Sequence, residues 1–316
     1  MMEEEEGVLD LMVESLTRIA DGVLQVTLVD PDGAWLPAWT PGSHIDLDTP
    51  DGLRQYSLCG DAGDRLRYTV GVLREPSSRG GSRHVHEVLR PGDVVEVGGP
   101  RNHFELLPAK RYHFVAGGIG ITPLLPMLRE VDARGEEWRL TYGGRTRASM
   151  GFLERLAPYG DRVELWPADE SGLLPLDRLF AEAADGTAVY CCGPAGLLDV
   201  VERAGLARDD VDVHLERFTA KDLSGFVDEP LTVVASRSGL ERLVAPGVSV
   251  LDVLEEGGIS VPNACREGVC GSCEVAVLEG TPEHRDSIRT GAELDDTSSL
   301  AVCVSRATTP RLVLDI

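Results

Sequence analysis

Four cysteines near the C-terminus constrain this chain more than any other feature. Cys265, Cys270 and Cys273 form a Cys-x4-Cys-x2-Cys loop, and 29 residues separate Cys273 from Cys303. The chain has seven cysteines, and four of them fall in its last 52 residues. An odd count without a signal sequence argues against a disulfide scaffold. The clustering therefore predicts a metal centre around which the C-terminal segment folds.

The spacing of these thiolates is that of a plant-type 2Fe-2S site, in which one loop supplies three of the four ligands. Gly268 and Gly271 lie inside the loop, where small residues let backbone amides approach the cluster sulfur atoms. A zinc site would favour paired Cys-x2-Cys units, and a Rieske centre needs two histidines that the loop lacks. The spacing therefore predicts a 2Fe-2S cluster in preference to zinc or free thiols, with the metal ligands Cys265, Cys270, Cys273 and Cys303.

A net charge of −23 restricts the partners of the chain. It argues against nucleic acid, whose phosphates need a basic surface, and fits a protein that stays monomeric or docks on a basic partner. No apolar run approaches the roughly 18 residues of a membrane helix, and the acidic start MMEEEE is unlike a signal sequence. We therefore expect a cytoplasmic monomer without membrane contact.

Three segments of the chain differ in their pattern. The first alternates short β-like runs with Pro, Gly and Asp turns and carries one helix at Ser82–Leu89, which predicts an antiparallel β-barrel. The second alternates strands with helices, including a helix at Ser149–Leu156, which predicts a doubly wound parallel α/β sheet. Residues 218–228 have the composition of a linker. The predicted domains are a barrel over 1–107, an α/β domain over 108–218 and a cysteine-loop domain over 229–316.

The last of these domains is predicted to contain a short helix and several strands. Ser249 is a candidate N-cap for a helix that runs through Glu256. Strands are expected at Leu231–Ala235, Cys273–Leu278, Leu300–Ser305 and Arg311–Leu314.

Two motifs in the second segment follow predicted strands. Gly117–Pro123 (Gly-Gly-Ile-Gly-Ile-Thr-Pro) opens a helix, where glycines let a pyrophosphate approach the backbone at the helix N-terminus. Cys192-Gly193-Pro194 ends a later strand, and we expect Cys192 at the mouth of this site, facing a nicotinamide from a position that need not be fully buried. Each motif alone is also compatible with an ordinary turn, and Cys59 and Cys191 are expected to be packing residues.

Two motifs in the barrel segment suit a flat flavin ring and a phosphate group. Arg54-Gln55-Tyr56-Ser57 places an aromatic ring beside small polar donors, as a flat flavin requires. Arg79-Gly80-Gly81-Ser82 stands at a predicted helix start, where backbone amides bind phosphate. The alternatives are an ordinary turn for the second motif and a solvated charge for Arg54.

The order and spacing of these motifs resemble the ferredoxin-NADP-reductase-like superfamily. With the cysteine loop, the chain resembles oxygenase reductases of the phthalate dioxygenase reductase type, which include vanillate O-demethylase reductases. The resemblance covers nearly the whole chain and includes Pro41–His44, Ser78–Ser82 and Glu216–Phe218. It implies a β-grasp ferredoxin domain at the C-terminus, FMN in the barrel, NADH on the α/β domain and a 2Fe-2S cluster in the ferredoxin.

The resemblance also implies roles for individual residues. Phosphate-binding residues for FMN are Arg54, Gly80, Gly81 and Ser82, and the isoalloxazine ring contacts Tyr56 and Ser57. The nucleotide-binding residues are Gly117, Gly118, Gly120, Thr122, Pro123, Cys192, Gly193 and Pro194. Phe218 either flanks the flavin or nicotinamide, which would give it and Cys192 a part in catalysis, or anchors the linker.

The implied activity is NADH-dependent electron transfer through FMN and the cluster to a partner oxygenase. A Rieske non-haem iron oxygenase or demethylase is the first expectation for that partner, and a haem-thiolate monooxygenase is the second. A redox-sensing protein with the same cofactors is an alternative of a different class. NADPH stays open as the donor, because Arg145 and Arg147 follow the second strand of the α/β segment, where a 2′-phosphate would bind.

Overall fold

The computed structural model describes residues 8–75, 80–289 and 294–316. The chain divides after Glu216 into two compact units. The first contains two sheets and the second contains the cysteine loop. Among the described residues, none of the helices combines the length and the apolar character that crossing a membrane requires.

The N-terminal part of the first unit is an antiparallel sheet of six strands in the order β4-β3-β6-β1-β2-β5. A single antiparallel bridge between Leu58 and Val70 joins the two edges of the sheet, which closes it into the predicted barrel. The barrel interior is apolar, with Leu28, Ile45 and Leu58 fully buried. Its elements are β1 (Leu9–Ala20), β2 (Val23–Val29), β3 (Ser43–Leu47), β4 (Arg54–Ser57), β5 (Tyr68–Leu73), α1 (Gly81–Glu87) and β6 (Val94–Asn102).

The rest of the first unit is a parallel sheet of five strands in the order β11-β10-β7-β8-β9, with helices in its connections. This order reverses between β7 and β10, as expected for a doubly wound fold. Its elements are β7 (Arg111–Gly117), α2 (Ile121–Ala133), β8 (Glu137–Gly144), α3 (Leu153–Leu156), β9 (Val163–Pro167), α4 (Ala168–Ser171), α5 (Leu176–Glu182), β10 (Thr187–Cys192), α6 (Ala195–Leu206) and β11 (Val211–Glu216).

The helix predicted over Ser149–Leu156 is wrong in extent. Thr146 and Ser149 form a capping box around a single 3-10 turn, Arg147–Ser149. The backbone of Phe152 then adopts a left-handed conformation with φ of 61°, which interrupts a right-handed helix. Only Leu153–Leu156 is α-helical in this stretch.

The second unit has the β-grasp arrangement, with five strands in the order β13-β12-β18-β14-β16 and one helix packed on the sheet. Ser249 caps that helix as predicted, because its Oγ accepts the Asp252 N–H at 3.0 Å. The unit's elements are β12 (Leu231–Ala235), β13 (Leu240–Val244), α7 (Val250–Glu256), β14 (Glu274–Glu279), β15 (Pro282–Glu283), β16 (Ser299–Ala301), β17 (Arg306–Ala307) and β18 (Arg311–Leu314).

The strand predicted over Leu300–Ser305 ends early, at Ala301. The amides of Val304 and Ser305 both donate to the Ala301 carbonyl, so the chain turns immediately after the strand. Cys303 is thereby carried out of the sheet on a turn. The expected linker, residues 218–228, contains no helix or strand.

Candidate functional site

The two nucleotide motifs lie at the carboxyl ends of adjacent strands. β7 runs into Gly117, β10 ends at Cys192, and Ala116 pairs with Cys192 in parallel register. These strands flank the point at which the strand order reverses, where open α/β sheets bind their ligands. The fold therefore brings together the two motifs that the sequence predicts for the nucleotide.

Glycines let these motifs pack directly on each other. A Cβ on Gly120 would lie 2.2 Å from the carbonyl oxygen of Cys192, and a Cβ on Gly117 would lie 2.6 Å from Cδ of Pro194. Gly118 has open space around it, so a side chain there would meet no neighbour. Its φ of 56° is the reason that glycine is favoured, because other residues rarely adopt this backbone conformation. Gly193 lies against Gly117. Thr122 closes the first turn of α2 by donating from Oγ1 to the Ile119 carbonyl at 2.9 Å, and Pro123 lies in that same turn.

A half-buried carboxylate joins the barrel to the α/β sheet within the first unit. The Oε2 atom of Glu216, the last residue of β11, lies 3.7 Å from the sulfur of Cys192 and 3.5 Å from Oγ of Ser57. Ser57 ends β4 of the barrel, so three strand ends from two sheets meet at one carboxylate. Both residues that donate to Glu216 are predicted site residues, one for the flavin and one for the nicotinamide.

Burial sets the protonation of this group. It raises the pKa of Glu216 to about 8, although the hydrogen bonds from Cys192 and Ser57 act in the opposite direction. Burial, followed by the nearby Glu216 carboxylate, also raises the pKa of the Cys192 thiol well above its usual value. At neutral pH the pair is therefore mainly uncharged, and Cys192 is a thiol rather than a thiolate nucleophile.

Cys192 ends β10 beside the crevice, but it is more enclosed than the sequence analysis required. Its side chain is completely buried, with 0% exposure. It is enclosed because Gly120 packs directly against its carbonyl and its sulfur faces Glu216. Cys191 and Cys59 are also buried, as expected for packing residues.

The predicted flavin residues of the barrel lie close to one another. A Cβ on Gly81 would lie 2.5 Å from Cγ of Arg54, so the Arg54 side chain crosses the start of α1. Gly80 has φ of 121°, and Ser82 is buried in the first turn of the helix. Burial raises the pKa of Tyr56, on the same strand as Arg54, to about 12, so its hydroxyl stays protonated. Ser78 and Arg79 lie outside the described residues.

The four cysteines predicted as cluster ligands converge in the second unit. Interaction with Cys270 and Cys303 lowers the pKa of the Cys265 thiol. Interaction with Cys265 and Cys273 raises the pKa of the Cys303 thiol, so the four side chains are near enough to influence one another. Cys303 reaches the other three because the turn after Ala301 carries it out of the sheet.

The loop around these cysteines fits a cluster that needs close amide contacts. The Glu267 N–H donates to the Cys265 sulfur at 3.3 Å, and Ser272 Oγ lies 3.0 Å from the Cys270 sulfur. Gly268 has φ of 71°, and a Cβ there would lie 2.5 Å from Cγ2 of Val304. Donors directed at sulfur and a glycine that no other residue can replace are what a 2Fe-2S site requires.

Phe218 lies two residues after Glu216, just beyond the point where the chain divides, and is 41% exposed. Its predicted place beside the flavin or nicotinamide stays a prediction. Glu216, by contrast, is a candidate site residue that the sequence analysis named only within the motif Glu216–Phe218 and gave no role. The available signal was its position, because a carboxylate at the carboxyl end of a strand in an open α/β sheet faces the ligand crevice.

Comparison with known proteins agrees with this geometry. The 2Fe-2S iron-sulfur cluster binding domain family matches residues 233–308. Phenoxybenzoate dioxygenase subunit beta of Ectopseudomonas oleovorans is 42% identical over 313 residues, which cover 97% of each chain. The crystal structure of phthalate dioxygenase reductase, described as a modular structure for electron transfer from pyridine nucleotides to [2Fe-2S], is 36% identical with a TM-score of 0.71 and covers 98% of both chains.

A larger enzyme is also similar. The structure of an intact type IV self-sufficient cytochrome P450 monooxygenase matches 98% of this chain with 43% identity and a TM-score of 0.92. The present chain spans only 41% of the length of that protein. With relatives that match from end to end and a ferredoxin domain at the predicted residues, the chain belongs to the phthalate dioxygenase reductase family, a family of oxidoreductases with a C-terminal 2Fe-2S domain.

Proposed function

We propose that this chain transfers electrons from NADH, through FMN, to its 2Fe-2S cluster and then to a separate oxygenase. The observation that carries the proposal is the division of the candidate residues between the two units. Ser57, Cys192 and Glu216 meet in the first unit, and the four cysteines converge in the second. Hydride chemistry and single-electron chemistry would thus each have their own set of residues.

FMN would be held in the barrel. Arg54 and the amides of Gly80, Gly81 and Ser82 would bind its phosphate, and Tyr56 and Ser57 would contact the ring. Among the described residues, the acceptors of the Arg54 guanidinium are the uncharged carbonyls of Leu53 at 2.7 Å and Asp51 at 2.9 Å, so its charge remains for a phosphate. When bound, the flavin accepts a hydride and releases electrons one at a time.

NADH would bind at the switch point of the parallel sheet. Gly117, Gly118 and Gly120 would admit the pyrophosphate at the start of α2, with Thr122 and Pro123 fixing the first turn. Cys192, Gly193 and Pro194 would position the nicotinamide, with Phe218 as a further ring contact. Glu216, mainly protonated at neutral pH, would hold a proton between Cys192 and Ser57 without placing a charge beside the reacting rings.

The domain boundaries that fit this arrangement are 1–107 for the barrel, 108–218 for the α/β domain and 229–316 for the ferredoxin. The net charge of −23 supports a monomer that works in the cytoplasm, without membrane contact, and docks through complementary charge. Size-exclusion chromatography with light scattering would give a mass near 34.0 kDa for a monomer, and a mass of twice that value would contradict it.

The proposed acceptor is a Rieske non-haem iron oxygenase or demethylase. Relatives that match over nearly their whole length are named as subunits of oxygenase systems, for example the phthalate 4,5-dioxygenase oxygenase reductase subunit of Pseudomonas putida, at 36% identity. A haem-thiolate monooxygenase is the second candidate, because the similar self-sufficient P450 contains a region of this fold. Reduction of a purified Rieske oxygenase and of a ferric P450, each by NADH and this protein, would separate the two.

The test of the electron-transfer path starts with cofactor content. Acid extraction followed by chromatography should release FMN, and iron analysis should give about two irons per chain. Anaerobic NADH should then reduce both centres, with the cluster followed by electron paramagnetic resonance. Release of FAD would contradict the flavin assignment. A cluster that NADH never reduces would favour the alternative of a redox-sensing protein.

A further inference from the structure

The segment that follows the parallel sheet, residues 218–228, is mostly not free chain. Lys221 is its first anchored residue, because its N–H donates to Oγ of Ser287 at 3.0 Å and its Nζ donates to the Arg289 carbonyl at 3.4 Å. Ser287 is itself 3% exposed. We call residues 221–228 the strap, since they lie along the body of the second unit.

The far end of the strap is held by a buried arginine. Arg285, with 5% of its side chain exposed, donates from Nη1 to Oδ1 of Asp228 at 2.5 Å and from Nη2 to the Val227 carbonyl at 3.2 Å. Its guanidinium also lies 4.9 Å from the centre of the Phe226 ring. Asp228 in addition accepts the Gly247 N–H at 2.8 Å. Both ends of the strap are therefore fixed to the ferredoxin unit.

The same buried segment that holds the strap also supports the cluster loop. The N–H of Ser287 donates to the carbonyl of Gly268, between two cluster cysteines, at 2.7 Å. The neighbouring Asp286 is completely buried and accepts from Ser305 Oγ at 3.2 Å, two residues after Cys303. Ser287 thus contacts the strap through its side chain and the cluster loop through its backbone.

We propose that Lys221 and Ser287 are positioning residues for electron transfer. We call the free chain between the first unit and the first anchored residue of the second unit the tether. Docking of the strap shortens this tether, which keeps the cluster within reach of the flavin unit. The proposal rests on the proposed function. Eleven free residues, 218–228, would reach about 36–40 Å, whereas the three that precede Lys221 reach about 10–11 Å. A shorter tether raises the effective concentration of one unit around the other, with a dependence near the −3/2 power of length.

The sharpest test inserts the same eight Gly/Ser residues at two places. An insertion between Thr219 and Ala220 lengthens the free tether from three to eleven residues. An insertion between Ser224 and Gly225, at the exposed turn of the strap, leaves both anchors and the tether unchanged. Exposed turns tolerate insertions well. The two variants therefore have the same composition and length and differ only in whether the added chain is free.

We expect the first insertion to slow flavin-to-cluster transfer by roughly fivefold to tenfold in single-turnover absorbance measurements, and the second to leave it unchanged. Flavin reduction by NADH and cluster content should be normal in both. Equal slowing by the two insertions would identify 218–228 as an ordinary flexible linker and overturn the proposal. No slowing by the first insertion, or slowing by the second alone, would also overturn it. Failure of NADH to reduce the cluster in the unaltered protein would instead count against the proposed function.

A second measurement reports docking without electron transfer. Ser287→Ala removes the acceptor of the Lys221 N–H but keeps the backbone bond to Gly268. Hydrogen exchange at the Lys221 amide should then be about 2- to 10-fold faster, the effect of one net hydrogen bond on an opening equilibrium. Ser287→Thr should restore protection, and Ser238→Ala, in the turn after β12, should have no effect. Unchanged exchange in Ser287→Ala would overturn the assignment of Ser287 as the anchor.

Discussion

An oxygen of the half-buried Glu216 carboxyl group lies 3.7 Å from the sulfur of Cys192, which is fully buried. The same oxygen lies 3.5 Å from Oγ of Ser57, across the boundary between the two sheets of the first unit. Burial raises the pKa of Glu216 to about 8, so the acid is mainly protonated at neutral pH. A neutral, hydrogen-bonded group at this position keeps strand ends from two sheets together at little electrostatic cost.

Glu216→Gln is expected to change how stability depends on pH. The pKa of Glu216 is raised above its unfolded value, from 4.5 to about 8, so its contribution to stability is fully present below pH 4.5 and is lost as the pH rises towards 8. The glutamine variant cannot ionise. It should therefore gain roughly 1–3 kcal/mol relative to the natural protein at pH 8.5 and change little at pH 5.

Urea unfolding of the cofactor-free protein at the two pH values measures this difference. Glu164→Gln serves as the control, because Glu164 forms an exposed ion pair with Arg178 at 2.7 Å and should show no such trend. If the unfolding free energies of the natural protein and the Glu216→Gln variant changed equally with pH, the pKa of Glu216 would not be raised by folding.

The contact between the two nucleotide motifs predicts the effect of a single methyl group. Gly120→Ala would place a Cβ 2.2 Å from the Cys192 carbonyl oxygen, so strand β10 or helix α2 must move. We expect a loss of about 1–3 kcal/mol in unfolding free energy and a several-fold weaker apparent affinity for NADH. Gly196→Ala is the matched control, since a Cβ on Gly196 in α6 would have nothing within 4 Å and the melting temperature should be equal or slightly higher.

Sequence reasoning recovered the parts of this structure that local chemistry determines. The helix capped by Ser249 and the strand Leu231–Ala235 were predicted to within a residue, because a cap and a run of apolar residues are local signals. The cysteine spacing predicted a 2Fe-2S domain, and the matching domain family covers residues 233–308; the four individual ligands stay a prediction. The prediction of a helix over Ser149–Leu156 was wrong because the sequence gives no sign that the backbone of Phe152 adopts a left-handed conformation.

Long-range contacts account for what was missed. The raised pKa of Glu216 depends on β11 ending beside β10 and beside β4, whose Ser57 is 159 residues away in the chain. The burial of Cys192 follows from the approach of Gly120, which no motif specifies. The linker composition of residues 218–228 likewise did not reveal Ser287 and Arg285 as anchors, because both lie more than 50 residues away in the sequence.

The choice between NADH and NADPH is expected to depend on Glu170. Its carboxylate lies 3.4 Å from the guanidinium of Arg147, one of two arginines placed to meet a 2′-phosphate. The acid neutralises that arginine and would repel a phosphate, which favours NADH. Glu170→Gln should raise kcat/KM for NADPH by about 3- to 10-fold with little change for NADH, measured by flavin reduction. An unchanged ratio would remove Arg147 and Glu170 from the specificity site, and Glu164→Gln is again the control.

Cys270→Ser should remove the cluster and leave the first half of the reaction intact. Cys270 belongs to the second unit, whereas the nucleotide motifs and the barrel belong to the first, and such units usually fold independently. The variant should lose the cluster's visible absorbance and its paramagnetic signal, while stopped-flow reduction of the flavin by NADH stays within about twofold of normal. A collapse of flavin reduction would show that the folding or function of the first unit depends on the second, although the chain divides into two compact units.

Cys192→Ala tests whether this buried sulfur serves hydride transfer or packing. The side chain is fully enclosed, so its removal leaves a small cavity and deprives the Glu216 carboxyl of a donor, for which we expect a stability loss of about 1–3 kcal/mol. A nicotinamide misplaced by about 1 Å would cost roughly 100-fold in the rate of flavin reduction.

Cys192→Ser keeps a donor of similar size and should recover most of the stability. Thermal melting and single-turnover flavin reduction, measured on the same samples, separate the two roles. A large fall in melting temperature with a normal reduction rate in Cys192→Ala would make Cys192 a packing residue and leave Glu216 and Ser57 as the groups that face the cofactors.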